Sequence, residues 1–364
     1  MNARERFRAT CMFESVDRPF RWEAMGFWPE TIARWHNEGL PEDVDDLLAY
    51  LHFGMDLRMP LILGSYENPG LSPMFEPEIL QEAEEYRIKR DGVGAVIKEF
   101  KNGRSALPQF LEFPVRDART FEEIRWRLEP SNPERLGLDW ESSAQAYNES
   151  EVPVIAYVCG LFGTARHLLG FENLMLAYYD MPELVHAIGE QWVMLYTSLF
   201  ERIAASAKVD AIDFWEDMAY RNGPMIGPAT FREFMTPYYK RLIDCVRSLG
   251  IDILRVDTDG NCSALIPLFL EVGANSLYPF EVQAGMNILE VRREYGNRLI
   301  IEGGIDKRKL AEDFDAIREE VESKTPQLLR GGGYFPSLDH NVPPDVPLKN
   351  FEFYLNLVRE IGER

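Results

Sequence analysis

The sequence is poor in cysteine and lacks the motifs of several large enzyme classes. Only four cysteines occur in 364 residues, and they are scattered without a CxxC pair. This distribution argues against a disulfide framework and indicates a reducing compartment. The chain has no phosphate-cradling P-loop, no GxGxxG and no serine nucleophile elbow. Nucleotide-fold cofactors and serine hydrolase chemistry are therefore not expected.

Positive charge and long apolar runs are also scarce. The 39 lysines and arginines stand against 60 aspartates and glutamates, which gives a net charge of −21. Nucleic acids and anionic membranes attract positively charged surfaces, so neither is an expected partner. No apolar run approaches the roughly 18 residues of a membrane span, and no apolar stretch follows the charged start of the chain as in a secretion signal. We expect a soluble cytoplasmic protein.

Short β-branched runs alternate with longer amphipathic stretches along most of the chain. Eight candidate strands fall near residues 20–24, 57–63, 153–157, 211–215, 253–257, 274–278, 299–302 and 334–338. This alternation favours a parallel sheet covered by helices. Eight such units close most naturally into a (β/α)8 TIM barrel of the α/β class, with an open doubly wound sheet as the alternative. We expect residues 1–364 to form a single domain.

Residues 85–100 depart from this alternation. Polar and apolar residues alternate there on both sides of Asp91-Gly92. Such a dipeptide between alternating segments is a strong signal for a β-hairpin. We therefore expect a hairpin inserted in an early loop of the barrel.

Carboxylates are frequent where the candidate strands end, which is where ligands bind in parallel α/β folds. Asp257 and Asp259 follow one strand two residues apart, so their side chains can point the same way. Two converging carboxylates need a cation, an arginine or a shared proton. A divalent metal held by Asp257, Asp259 and His340 would meet this need. In the alternative interpretation, Asp257 caps the next helix and Asp259 turns the chain into Gly260.

Other residues at strand ends are candidates for catalysis and for the pocket wall. Candidate catalytic carboxylates are Asp217, Glu281 and Glu302, the last two also as a fourth metal ligand or an acid/base. A candidate aromatic wall for the substrate consists of Trp22, Phe27, Trp28 and Trp215. Aromatic residues near strand ends are more often plain core, and that interpretation stays open.

Several short motifs together resemble the uroporphyrinogen decarboxylase superfamily. The motifs are Glu5-Arg-Phe-Arg-Ala, Val16-Asp-Arg-Pro-Phe, Met25-Gly-Phe-Trp, Gly160-Leu-Phe-Gly, Leu169-Gly-Phe-Glu, Pro237-Tyr-Tyr-Lys-Arg, Gly303-Gly-Ile-Asp and Asp339-His340. They span nearly the whole chain and are specific in combination. The resemblance implies a (β/α)8 barrel, commonly a homodimer.

The superfamily contains true decarboxylases and corrinoid-linked methyltransferases. Its decarboxylases grip the tetrapyrrole carboxylates with an arginine-rich segment, where this chain has Ala24-Met-Gly-Phe-Trp-Pro. Similar methyltransferases bind zinc through His-x-Cys-Gly after a barrel strand and a cysteine near the last strand. The resemblance aligns Asp257-Thr-Asp-Gly-Asn with the first element and His340 with the region of the second. Oxygen and imidazole ligands suit a harder cation, or zinc acting on an oxygen substrate.

The resemblance thus implies a methyltransferase that acts between a small substrate, such as a methoxylated one, and a corrinoid protein. The expected cofactors are a divalent metal acting as a Lewis acid, with zinc as one candidate, and a corrinoid carried by the partner protein. One alternative is a metal-assisted decarboxylase or lyase for a small acid, with Arg21 and Arg255 as the candidate arginine clamp. Another is a non-catalytic barrel that binds a ligand or a corrinoid partner.

Overall fold

The computed structural model describes residues 1–101 and 108–363. Its strands are β1 (Met59–Ile62), β2 (Glu78–Glu82), β3 (Tyr86–Arg90), β4 (Val96–Phe100), β5 (Gln109–Glu112), β6 (Val154–Cys159), β7 (Ala211–Trp215), β8 (Ala219–Tyr220), β9 (Gly223–Pro224), β10 (Ile253–Asp257), β11 (Ser276–Tyr278), β12 (Ile300–Glu302) and β13 (Tyr334–Phe335). Its α-helices are α1 (Ala3–Cys11), α2 (Pro29–Glu38), α3 (Asp46–His52), α4 (Ala118–Arg125), α5 (Trp140–Glu149), α6 (Leu161–Leu169), α7 (Phe171–Asp180), α8 (Pro182–Ala204), α9 (Pro228–Phe234), α10 (Thr236–Ser248), α11 (Ile266–Val272), α12 (Ile288–Tyr295), α13 (Lys307–Leu310), α14 (Phe314–Gly331) and α15 (Leu348–Gly362). None of the helices in these residues is both long and apolar enough to cross a membrane.

A seven-stranded parallel sheet forms the centre of the molecule, in the order β1-β6-β7-β10-β11-β12-β13. Helices connect its strands, which is the TIM-barrel-like α/β arrangement that the sequence predicts. Strands β7 and β10 coincide with the predicted residues 211–215 and 253–257, and five other predicted strands overlap the observed ones.

The predicted first strand at residues 20–24 is wrong, because no strand forms there. This segment instead makes a seam, in which residues 20–24 contact the chain before β1 and the chain after β13. The Asp56 amide donates to the Arg21 carbonyl at 2.7 Å, and the Leu338 amide donates to the Glu23 carboxylate at 2.9 Å. A side-chain acceptor thus replaces the backbone carbonyl that a paired strand would offer. Within the described residues no ladder joins β1 to β13.

The predicted hairpin at 85–100 is confirmed. Strands β3 and β4 pair antiparallel, with Tyr86 opposite Phe100, in the middle of the four-stranded sheet β2-β3-β4-β5. The Asp91 carboxylate closes the turn by accepting the Val93 and Ala95 amides, each at 2.9 Å. The left-handed residue of the turn is Gly94, with a φ of 95°. The assignment of residues 1–364 to a single domain stays a prediction.

Successive side chains of the central strands point alternately outward, toward the helices, and inward, toward the interior of the barrel, and they pack in two separate layers. Outward residues such as Val158, Phe214 and Val256 pack in the large cluster that includes α8 and α10. Inward residues near the amino ends, among them Ile155 and Ile253, pack around Phe7 of α1. This apolar plug seals the amino end of the barrel interior, here called the lumen. Access to the lumen is therefore from the carboxyl ends of the strands.

Candidate functional site

Three strands show where the lumen is open. Tyr157, Asp213 and Arg255 lie side by side on β6, β7 and β10, and their inward neighbours toward the carboxyl ends are Cys159, Trp215 and Asp257. Each strand is buried along its length apart from one partly exposed residue, which is Tyr157, Trp215 or Asp257 respectively. These three residues therefore line an accessible part of the lumen.

Below them lies a buried polar layer, here called the floor, which consists of Asp213, Arg255, Tyr278 and Glu302. The Arg255 guanidinium bonds to the carboxylates of Asp213 and Glu302, each at 2.6 Å, and the Tyr278 hydroxyl donates to Asp213 at 2.9 Å. Burial raises the pKa of Asp213 and of Glu302, and the nearby Arg255 charge offsets part of that rise. The floor is an internally paired network with no exposed member.

The floor changes the interpretation of two predicted site residues. Glu302, a candidate acid/base, is fully buried and engaged with Arg255. Trp22, a candidate for the pocket wall, is buried with the Arg255 guanidinium 4.9 Å from its ring centroid. Both support the lumen from below and are not at its surface. Arg255 itself is buried and bonded to two carboxylates, so it is not available as a substrate clamp.

A second arginine of the lumen was missed by the sequence reasoning. The Arg58 guanidinium lies 4.9 Å from the Trp22 ring centroid and 6.0 Å from those of Tyr50 and Tyr157. Its side chain is partly exposed. The available signal was a cationic residue inside the otherwise apolar run at 57–63.

Above the floor, charged side chains surround the mouth of the lumen and form what is here called the rim, Asp217, Asp259, Glu281, Lys307 and His340. Asp217 pairs with Arg166 at 3.0 Å, and His340 Nε2 lies 3.4 Å from Asp259 Oδ2. Glu281 accepts the Gly260 amide at 2.9 Å. Lys307 Nζ lies 3.6 Å from Glu281 and 3.8 Å from Asp339. The predicted proximity of Asp259 and His340 is thus present.

Asp257 joins the lumen wall to the rim. The chain turns sharply after β7, with a φ of 44° at Asp217, and the amides of Glu216 and Asp217 both donate to the Asp257 carbonyl at 3.0 Å. Desolvation and neighbouring carboxylates, Asp259 first among them, raise the pKa of Asp257 well above its ordinary value. No cation in the described residues bonds to this carboxyl group. These surroundings favour the protonated form of Asp257.

For His340, burial and the neighbouring Asp259 shift the pKa in opposite directions. Burial lowers its pKa, but the hydrogen bond and the negative charge of Asp259 outweigh that effect, so the pKa lies above its ordinary 6.5. The contact with Asp259 therefore favours the protonated form of His340.

The predicted metal ligands do not form a complete set in this geometry. Among residues 1–101 and 108–363, no three His, Cys, Asp or Glu side chains are placed so that they could hold one metal ion. Asp259 and His340 approach each other, but Asp257 does not complete a three-ligand group with them. In this geometry the described residues therefore do not form the predicted three-ligand site.

The remaining aromatic candidates are divided between wall and core. Trp215 is partly exposed on the lumen wall, with the Arg166 guanidinium 4.9 Å from its ring. Trp28 is 45% exposed and lines a cleft of about 550 Å³ beside His340. Phe27 instead packs in a separate core with Trp35 and Phe351, so its assignment to the pocket is wrong. It points away from the lumen, toward α2 and α15.

Two further buried acids lie behind the wall. Glu216 accepts the Gly163 amide at 2.8 Å and the Tyr239 hydroxyl at 2.5 Å, and burial raises its pKa to about 7. Glu23 accepts the Leu338 amide and the Tyr354 hydroxyl, and burial raises its pKa to about 8. Both side chains are buried, and each accepts hydrogen bonds from a backbone amide and a tyrosine hydroxyl.

The comparison with known families settles the family. Residues 99–361 match the family model "Uroporphyrinogen decarboxylase (URO-D)". The chain belongs to the uroporphyrinogen decarboxylase family. The predicted resemblance is therefore confirmed, and an enzyme family is shown for this chain.

Curated relatives of the uroporphyrinogen decarboxylase family are distant. A uroporphyrinogen decarboxylase from Legionella pneumophila is 22% identical over 265 residues, which is 70% of this chain and 71% of that protein. One from Syntrophotalea carbinolica is 23% identical over 262 residues, with 70% and 72% covered. Among solved structures, a methyltransferase from Methanosarcina mazei aligns over 99% of both chains with a TM-score of 0.64 and 15% identity. That likeness shows the shared fold.

Proposed function

We propose that this protein transfers a methyl group between a small methylated substrate, such as a methyl ether, and a corrinoid carried by a partner protein. The observation that carries the proposal is Asp257, a carboxyl group on the accessible wall of the lumen whose surroundings raise its pKa and favour the protonated form. Removal of a methyl group from an ether oxygen requires a proton for the leaving oxygen, and a positioned acid supplies it. The solved methyltransferase that shares the fold over 99% of both chains supports the same class of reaction.

The rim disfavours a polycarboxylate tetrapyrrole as substrate. The cations there, Arg166 and Lys307, already face Asp217, Glu281 and Asp339. A substrate with many carboxylates would meet like charges at the mouth, which costs free energy when these groups lose water. The segment Met25-Gly-Phe-Trp adds no arginine.

In the proposed reaction the C–O bond of the ether breaks, and the carbon leaves without the bonding pair. When presented by the partner protein, a reduced corrinoid would supply the electron pair that accepts this methyl group. The oxygen keeps the C–O pair and takes the Asp257 proton, so the product is the demethylated alcohol or phenol. The carboxylate that remains on Asp257 recovers a proton from solvent or from His340 at the rim. Trp215 and Tyr157 border the substrate on the lumen wall.

The corrinoid belongs to the partner in this proposal, so this chain needs an open mouth and no corrinoid pocket of its own. The partly exposed residues Tyr157, Trp215 and Asp257 meet that condition. Lewis-acid activation by a divalent metal stays a prediction, and elemental analysis of the wild-type protein and of Asp259→Ala tests it. A homodimer is part of the same proposal, tested by light scattering.

The direct test incubates the protein with 4-methoxybenzoate and chemically reduced cobalamin. We expect methylcobalamin and 4-hydroxybenzoate to appear in equal amounts, followed by absorbance and chromatography. Decarboxylation of a small acid is the second candidate, which Arg58 favours because decarboxylases must hold a carboxylate. Release of CO₂ without methylcobalamin would support that candidate, and conversion of uroporphyrinogen to coproporphyrinogen would contradict both.

A further inference from the structure

Arg58 has donors in the lumen that no protein group uses. A guanidinium carries five N–H donors and stays protonated in proteins. In residues 1–101 and 108–363, no carboxylate lies within 4.0 Å of Arg58 and no acceptor bonds to it, so its described contacts are the rings of Trp22, Tyr50 and Tyr157. None of the side-chain nitrogen atoms of Arg58 is both fully buried and without a partner. Because no protein acceptor bonds to them, these atoms retain contact with solvent.

The neighbouring arginines show that this arrangement is specific to Arg58. Arg255 bonds to two carboxylates at 2.6 Å on the same floor. Arg21, one residue before Trp22, pairs with Glu363 at 2.8 Å. Both Asp213 oxygens accept from Tyr278 and one also from Arg255, and one Glu302 oxygen accepts from Arg255. Neither carboxylate forms an ion pair with Arg58, whose charge acts on them only through space. Arg58 therefore keeps its hydrogen-bonding capacity for something that enters the lumen.

The surroundings of Arg58 define what that group can be. Trp22 lies under the guanidinium and is buried, so one face of the cation is covered by an aromatic ring. Tyr157 borders it on the accessible wall, and Trp215 follows on the adjacent strand. Planar guanidinium groups bind carboxylates through two parallel hydrogen bonds. Flat apolar groups pack well against exposed aromatic rings.

We propose that Arg58 binds a carboxylate of the substrate, whose aromatic or otherwise flat apolar body lies along Tyr157 and Trp215. This proposal extends the proposed methyl transfer, because the ligand is a substrate only if that reaction takes place. It narrows the methylated donor to an aromatic acid with a methyl ether. The acidic rim then selects against substrates with many carboxylates, while the single carboxylate reaches the one unpaired arginine described in the lumen.

A binding experiment without corrinoid tests this. Isothermal titration would measure 4-methoxybenzoate and its neutral analogue 4-methoxybenzamide against the wild type, Arg58→Gln, Arg58→Lys and Arg21→Gln. We expect the wild type to bind the acid at least about tenfold more tightly than the amide, because hydrogen bonds to charged groups are the stronger ones. Arg58→Gln should lose this preference, Arg58→Lys should keep part of it, and Arg21→Gln should keep all of it.

The proposal is overturned if the wild type does not prefer the acid, if it binds neither compound, or if Arg58→Gln keeps the preference. Circular dichroism checks that each variant is folded, and Arg58→Lys retains the charge if Arg58→Gln does not fold. The binding experiment and the assay of methyl transfer can fail independently of each other. A preference for the acid without methyl transfer would contradict only the reaction, and methyl transfer that Arg58→Gln leaves unchanged would contradict only the carboxylate site.

Discussion

The floor and the lumen wall just above it differ in whether their carboxyl groups have a cationic partner. On the floor, Asp213 and Glu302 are both bonded to Arg255, which offsets part of their charge and fixes their positions. One inward position higher, Asp257 has a raised pKa and no bonded cation among the described residues. The first arrangement stabilises the fold once all three charges are present. The second leaves a proton available, at a place where the chain retains contact with solvent.

This comparison teaches that the number of buried charges matters less than whether each has a partner. A paired charge is costly to remove from one side only, because the other is then left uncompensated. An unpaired carboxyl group avoids that cost by taking up a proton, which makes it a chemical reagent. The same contrast separates Arg255 from Arg58.

The largest expected effect is on the floor. Arg255→Met removes the cation and leaves Asp213 and Glu302 buried without compensation, so we expect a loss of roughly 3–5 kcal/mol in the free energy of unfolding. Urea denaturation measures it. Arg232→Met is the matched control, since Arg232 and Glu271 are 54% and 38% exposed and such pairs contribute about 0–1 kcal/mol. Equal losses in the two variants would contradict the assignment of the floor as a structural network.

The next effect separates stability from chemistry at Asp257. Burial and neighbouring carboxylates favour the protonated form of Asp257, for which asparagine is a neutral isostere. For Asp257→Asn we therefore expect the free energy of unfolding to change by less than about 1 kcal/mol. The rate of methyl transfer should fall about a hundredfold, the lower range for losing a positioned acid. Asp252→Asn, in an exposed residue at the opposite end of β10, should change neither quantity. A marked loss of stability in Asp257→Asn would indicate that the carboxylate is ionised and paired.

The third effect concerns pH and the carboxyl group of the seam. Burial raises the pKa of Glu23 from 4.5 to about 8, so the folded protein binds more protons than the unfolded chain between these values. Stability from this group is therefore complete below pH 4.5 and falls as the pH rises toward 8. One pKa unit corresponds to about 1.4 kcal/mol, so the wild type should lose at least about 2 kcal/mol relative to Glu23→Gln over this window.

Urea unfolding at pH 5.5 and 8.5 measures that difference, because other titrating groups such as Glu216 are common to both proteins. Glu38→Gln is the control. The pKa of Glu38 is lowered, with bonds from the Leu348 amide and Arg34 outweighing burial, so this group is ionised throughout the window. Parallel pH profiles for the wild type and Glu23→Gln would show that Glu23 is already ionised at pH 5.5.

The sequence predicts the parts of this protein that depend on local pattern. Strands β7 and β10 and the hairpin at 85–100 are marked by β-branched runs, alternation and a turn dipeptide, all readable within a few residues. The meeting of Asp259 and His340 at the mouth follows from strand-end geometry.

The errors come from partners distant in sequence. Residues 20–24 have the composition of a strand, but the hydrogen bond that would build the ladder goes to the Glu23 carboxylate, 315 positions from Leu338. Phe27 lies next to Trp28 in the chain, yet one packs in the core and the other lines the cleft. Arg255 is bonded to residues 42 and 47 positions away, which no local pattern reveals.

Because the Glu23 carboxylate holds one side of the seam, residues 20–24 escape the register that a strand paired on both sides would impose. In a ladder, a shift by one residue would turn every side chain to the opposite face. The family model matches residues 99–361, whereas Trp22, Tyr50 and Arg58 all precede that span. Changes within residues 20–24 therefore need not shift the pairing of the parallel ladder.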